Sequence, residues 1–272
     1  MPPSRSGSAL PYLDHLAADS ARFRDVLATA PPSRRVPTCP DWDCDDLLWH
    51  LGQVQWFWGE IAERGLTDPA ELEAMNATRE DRPPDRAGLL DLYDRASGRL
   101  HRVLSRLQPT TPLWMWADDK TAGYIRRRQA HEAMIHRLDA ELTVGARTPL
   151  DCRLAADGVD EALRIMRGYE PEPGLTHVAT GPTVMLATVD AMHAWTVTPV
   201  HVTGTDEDGH EVDVRRFLVS DGPDEGSAAE ICGSAADLDC WLWNRPPDGE
   251  ITRAGDAAAL AAVEAVLGAS ID

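Results

Sequence analysis

The sequence predicts an α+β protein, a four-helix bundle followed by a small α/β domain. Three observations lead there. Up to Val144, apolar residues recur at helical spacing in four segments separated by proline- and glycine-containing breaks. Beyond position 150 the chain turns to Val- and Thr-rich segments bounded by glycines, which read as strands. The connections between the four helical segments are long enough for crossovers, as in bundles whose facing helices build metal sites. The domains are therefore assigned to residues 1–150 and 151–272.

The first helix spans Ser8 to Ala30, with Leu13, Leu16, Ala17, Phe23, Val26 and Leu27 at helical period, and Pro31 and Pro32 end it. Pro37 to Trp42 reads as a turn. Asp43 is a good N-cap for the second helix, with Asp45 and Asp46 in the first turn, where the helix dipole favours acid. That helix runs to about Arg64, and Gly65 stops it. Its inward stripe reads Leu47, His50, Leu51, Val54, Phe57, Trp58 and Ile61. Residues 65–84 are polar and acidic, a loop or lid closing on Arg82-Pro83-Pro84. Asp85 to Leu107 forms the third helix, with Leu89, Tyr93, Ala96, Leu100, Val103 and Leu107 on one face. A break carrying Trp114, Met115 and Trp116 precedes the fourth, Tyr124 to Val144, which Gly145 ends.

In the second half, Leu154 to Tyr169 reads as one amphipathic helix. Thr183–Val189, Ala194–Val202 and Glu211–Val219 read as strands, with a hairpin-type turn at Asp206–Gly209. Glu230–Gly233 is short and strand-like. Ser234 caps a helix to Trp243, with Asp237 three residues on, and Gly255-Asp256 opens a final Ala-rich helix.

Composition narrows the function classes. The net charge of -19, from 26 Lys+Arg against 45 Asp+Glu, argues against nucleic acid or anionic lipid as a partner. No apolar run approaches the ~20 residues that cross a bilayer, and Met1 to Ala9 lack a signal-peptide core. The five cysteines, at 39, 44, 152, 232 and 240, form no C-x-x-C pair and read as reduced thiols of a cytoplasmic protein.

Glu132, His136 and Asp139 are spaced by four and three residues, so their side chains share one side of a helix. His50 lies on the apolar face of another helix. Polar groups turned into a core are costly unless satisfied, so two helices that both do this suggest a metal inside the bundle. Imidazole and carboxylate suit Zn2+ and other divalent first-row ions. Glu132 and His136 can reach one ion, His50 can supply a third ligand, and Asp139 can accept the remaining N–H of a ligating histidine. Three protein ligands leave a position open, as in catalytic sites. Spacing alone leaves other readings open: a hydrogen-bonded core histidine at His50, and a surface ion pair at Glu132 and His136 beside Arg126, Arg127, Arg128 and Arg137. His131 precedes the motif on a neighbouring face. The histidines at 131 and 136 are five apart, so this is not the H-E-x-x-H protease pattern.

Thr38-Cys39-Pro40-Asp41-Trp42, Asp46-Leu47-Leu48-Trp49-His50-Leu51, and His131-Glu132 with His136 and Asp139 resemble the mycothiol-dependent maleylpyruvate isomerase family. The resemblance continues through Gly233-Ser234-Ala235-Ala236-Asp237-Leu238, Trp241-Leu242-Trp243-Asn244-Arg245 and Gly255-Asp256-Ala257. It implies a DinB-like four-helix bundle with a small C-terminal α/β domain. By the same resemblance the metal ligands are His50, Glu132 and His136, the metal is a divalent ion, with Zn2+ favoured by ligand type, and the thiol is mycothiol. Trp49 and the Trp114-Met115-Trp116 stretch depart from the family's pattern and bear on pocket shape. The implied chemistry is addition of a metal-bound thiolate to the cis double bond of an unsaturated acid, rotation, and elimination to the trans isomer. An arginine is the natural partner for the substrate carboxylates. Arg245 is the candidate, with Arg137 and Arg128 as others. Two alternatives accompany this reading: a mycothiol S-transferase acting on an electrophile, and a metal- or thiol-binding module without turnover. The expected partners are a small-molecule substrate and the thiol. No exposed apolar stripe marks an oligomer interface.

Overall fold

The structure, a computed structural model, describes residues 10–207 and 209–268. Ser8, the expected start of the first helix, and Asp208 in the expected hairpin turn lie outside the described residues. The chain divides into two compact units, Met1–Thr148 and Pro149–Asp272.

In the first unit, α1 (Tyr12–Thr29) ends where Ala30 turns extended, the conformation forced on a residue before proline. The segment expected as a turn is an antiparallel hairpin, β1 (Arg35–Val36) and β2 (Cys39–Asp43). Asp43 then caps α2 (Cys44–Arg64) with a full capping box: its side chain accepts from the Asp45 and Asp46 amides, and the Asp46 carboxylate accepts from the Asp43 amide. Gly65 closes the helix in the left-handed region, φ 66°. The expected loop contains a 3-10 turn at Pro69–Glu71 and a short helix, α3 (Leu72–Asn76). α4 (Arg86–Arg106) is capped by Asp85, and α5 (Ala122–Val144) by Thr121.

Four long helices make the bundle. α2 packs on α4 and α1 on α5, while α1–α4 and α2–α5 contacts close the ring. The buried face of α2 is rotated from the expected stripe. Val54 and Phe57 are only half-buried, whereas Gly52, Gln55 and Gly59 are buried. The cause is close packing on α4: a Cβ on Gly52 would meet Leu92 at 3.1 Å, and one on Gly59 would meet Arg99 at 3.5 Å. A hydrophobicity pattern does not weigh this role of glycine.

The second unit opens with α6 (Cys152–Glu161), capped by Asp151. It runs into a π-helical turn at Ala162–Met166 in place of one regular helix to Tyr169. A six-stranded sheet follows, built from β3 (Leu175–Ala179), β4 (Val184–Thr188), β5 (Ala194–Thr205), β6 (Glu211–Asp221), β7 (Ala229–Gly233) and β8 (Thr252–Gly255). The long β5 pairs with β6 along one edge and with β3 and β4 along the other, while β7 joins β4 in parallel. β3 and β8 were not expected from the sequence. α7 (Ala235–Leu242) and α8 (Ala257–Leu267) carry the caps Ser234 and Asp256. The core joins Val184, Leu186, Trp195, Val197 and Phe217 of the sheet to Leu238 and Val263 of these helices. Among the described residues, no helix is long and apolar enough to cross a membrane.

Candidate metal centre

α2 and α5 pack against each other in the bundle, and their polar side chains converge. Glu132 Oε1 lies 3.1 Å from His136 Nε2 and 3.5 Å from His50 Nε2. One ligand atom from each of His50, Glu132 and His136 lies within 4.8 Å of the others. The two imidazoles meet edge-on, with ring centroids 4.8 Å apart. His136 is 7% exposed, so the expected alternative of a surface ion pair does not describe this helix face.

Each ligand atom is held by a partner. His136 Nδ1 lies 2.9 Å from Asp139 Oδ2. An ionised carboxylate can only accept, so this contact keeps a proton on Nδ1 and leaves Nε2 facing Glu132. Asp139 is fully buried, and its other oxygen accepts from Thr38 Oγ1 at 2.5 Å. Arg128 Nη2 donates to Glu132 Oε2 at 2.9 Å, which occupies one carboxylate oxygen and leaves Oε1 for the shared point. Trp42, at the end of β2, packs its ring 4.6 Å from that of His50 and 6.4 Å from that of His136.

The electrostatics follow from this crowding. Burial alone would raise the Glu132 carboxyl, but contacts with His136 and His50 and the Arg128 charge hold it well below the ordinary carboxylate range. Burial alone would lower His136, yet hydrogen bonds to Asp139 and Glu132 push it up to about 9. The pocket thus favours a cation at the position of the His136 Nε2 proton. A borderline donor set of two imidazoles and one carboxylate oxygen, already oriented by buried partners, fits a divalent metal and leaves a position open.

The other candidates fall elsewhere. His131 is buried and turned toward α1, edge-on to Tyr12 with ring centroids 6.4 Å apart. Arg128 is engaged by Glu132. Arg137 is buried on Asp19 at 2.7 Å and Glu141 at 3.0 Å. Both guanidinia are thus engaged by carboxylates of the bundle. Arg245 follows α7 in the second unit, half-buried, with Nη1 donating to the Trp243 carbonyl at 2.7 Å. Trp114 stacks on Trp58 at 5.9 Å, and Trp49 packs against the core formed by α1 and α2. Thr38 and Trp42 lie in the Thr38-Cys39-Pro40-Asp41-Trp42 motif, but the sequence assigns no individual role to them, nor to the Arg128–Glu132 pair, whose local signal is its spacing of four.

The family model described as Mycothiol maleylpyruvate isomerase N-terminal domain matches residues 13–141. Among solved structures, a crystal structure of the mycothiol-dependent maleylpyruvate isomerase is similar in fold, with TM-score 0.55 and 15% identity. A histidine-to-alanine mutant of that enzyme gives 0.57 and 14%. Both likenesses cover 91% of this chain and 95% of the other. No curated protein matches the sequence significantly.

Proposed function

We propose that this chain, whose residues 13–141 match the mycothiol maleylpyruvate isomerase N-terminal domain model, is a metal-dependent enzyme using mycothiol. Its reaction is cis-to-trans isomerisation of a maleylpyruvate-like unsaturated acid, by thiolate addition, rotation about the former double bond, and elimination. The observation that carries this reading is the convergence of His50 Nε2, Glu132 Oε1 and His136 Nε2 on one partly buried point.

His50, Glu132 and His136 would hold the metal, and Zn2+ suits the donor set. A divalent cation bound there would supply the positive charge that keeps a thiol deprotonated at neutral pH. The protein's own groups do the rest. Asp139 retains the His136 Nδ1 proton, so that Nε2 is available as a ligand. Arg128 keeps Glu132 ionised and singly presented. Trp42 packs against the His50 ring at 4.6 Å and restricts its orientation. Arg245, in the second unit, is proposed as a carboxylate partner on the family resemblance and on the planar donor fork of its guanidinium.

The test is product analysis with mycothiol and a cis unsaturated keto acid, with and without chelator. The trans isomer, with thiol recovered unchanged and activity abolished by chelator, is the expected result. A stable thiol adduct would replace the isomerase with an S-transferase. Turnover that survives complete metal removal would overturn the metal-dependent reading.

A further inference from the structure

Building on the metal-centre reading, we propose that Thr38 is a positioning residue for the metal ligands, and that the β1–β2 hairpin orients both histidines. Thr38 lies at the hairpin's turn, between β1 and β2. Its hydroxyl donates to Asp139 Oδ1 at 2.5 Å, across a sequence separation of 101 residues. The other oxygen of the same carboxylate meets His136 Nδ1 at 2.9 Å. A carboxylate on a helix can turn about its terminal bond, and that torsion is broad. With one oxygen fixed by Thr38, the other is aimed at His136, which sets both the ring's orientation and the nitrogen that carries the proton. Four residues along, Trp42 lies against the His50 ring at 4.6 Å. One short hairpin therefore touches the histidine of α2 directly and the histidine of α5 through Asp139.

The hairpin is itself well held. Val36 is fully buried, the Cys44 amide donates to the Arg34 carbonyl at 3.1 Å, and Arg35 Nη1 donates to the Asp41 carbonyl at 3.0 Å. Ligands drawn from two helices gain affinity when their rings are fixed before the ion arrives, because less freedom is lost on binding. Outer hydrogen bonds of this kind commonly carry a tenfold or larger share of metal affinity.

The test is Zn2+ affinity, read by competition with a chromophoric chelator, for the wild type, Thr38→Val and Thr38→Ser. Circular dichroism of each metal-free protein verifies the fold. Thr38→Val keeps the shape and removes the donor, and should weaken Zn2+ binding by about 10–100-fold. Thr38→Ser restores the hydroxyl and should bind close to the wild type. A folded Thr38→Val protein with wild-type affinity would overturn the proposal, as would a Thr38→Ser protein as weak as Thr38→Val. Should Thr38→Val not fold, Trp42→Leu tests the other arm. Weakened Zn2+ binding supports the positioning role, and unchanged binding rejects it. A wild-type protein that takes up no Zn2+ or other divalent ion would instead reject the underlying metal-centre reading.

Discussion

Helix α5 carries two largely buried polar clusters that interleave along its C-terminal half, and they are built on opposite principles. Toward its C-terminal end, Glu141 and Asp19 are matched by Arg137 and Arg22. Arg137 lies 2.7 Å from Asp19 and 3.0 Å from Glu141, Arg22 lies 2.8 Å from Glu141, and the Thr148 amide donates to Glu141 at 2.8 Å. Every carboxylate there has a permanent cation. In the other cluster, Glu132 meets Arg128 at 2.9 Å and His136 at 3.1 Å, and Asp139 meets the other nitrogen of the His136 ring at 2.9 Å. There a protonated His136 is favoured: burial would lower it, but hydrogen bonds to Asp139 and Glu132 push it up to about 9. A closed ion network is a structural device. An acceptor-rich one with converging nitrogens is a place for a cation.

Substitutions on the two clusters should therefore separate cleanly. Glu132→Gln should abolish thiol-dependent turnover and weaken metal affinity by more than the about 10–100-fold expected for an outer hydrogen bond. Arg137→Met should do the reverse. It strands Glu141 and Asp19, costs about 3–5 kcal/mol of stability by denaturant titration, and leaves the metal content of the folded protein unchanged. Metal loss in Arg137→Met at full stability would erase the distinction.

The pH response sharpens the same contrast. The folded pKa of His136 is above its ordinary 6.5. In the metal-free protein its contribution to stability is therefore full below about 6.5 and is lost as pH rises through about 9. The midpoint temperature of the metal-free protein should fall across that window, whereas metal-saturated protein, with the proton displaced, should not show this step. Metal loading near neutral pH should accordingly release about one proton per ion, measurable in weakly buffered solution. A metal-free midpoint that is flat from pH 6.5 to 9 would contradict the proton's role as the balancing charge. The smallest effect belongs to the second unit. Arg245→Met should raise KM for the unsaturated acid about tenfold, the worth of one charged hydrogen bond, with metal content unaltered.

The sequence was most legible where the physics is local. The capping box at Asp43 and the left-handed glycines, Gly65 at φ 66° and Gly145 at φ 72°, mark helix ends through residues a few positions apart. The Glu132, His136 and Asp139 face follows from helical period alone. What the sequence hid is long-range or edge-bound. Thr38 meets Asp139 across 101 residues, so no spacing rule reaches it. The edge strand β8, Thr252–Gly255, is exposed throughout and shows no apolar alternation, and β3 is nearly as exposed. The rotated face of α2 came from glycines that admit α4, a packing effect invisible to hydrophobicity. The π turn after α6 likewise left no mark in the pattern.

The most direct test of the metal-centre assignment is elemental analysis of purified wild type beside His50→Ala. His50 is the one proposed ligand on α2, and its removal leaves two ligands on a single helix. The wild type should carry close to one divalent ion per chain, with most of it missing from the folded variant. A wild type without metal, or a variant with undiminished metal, would contradict the assignment of His50, Glu132 and His136.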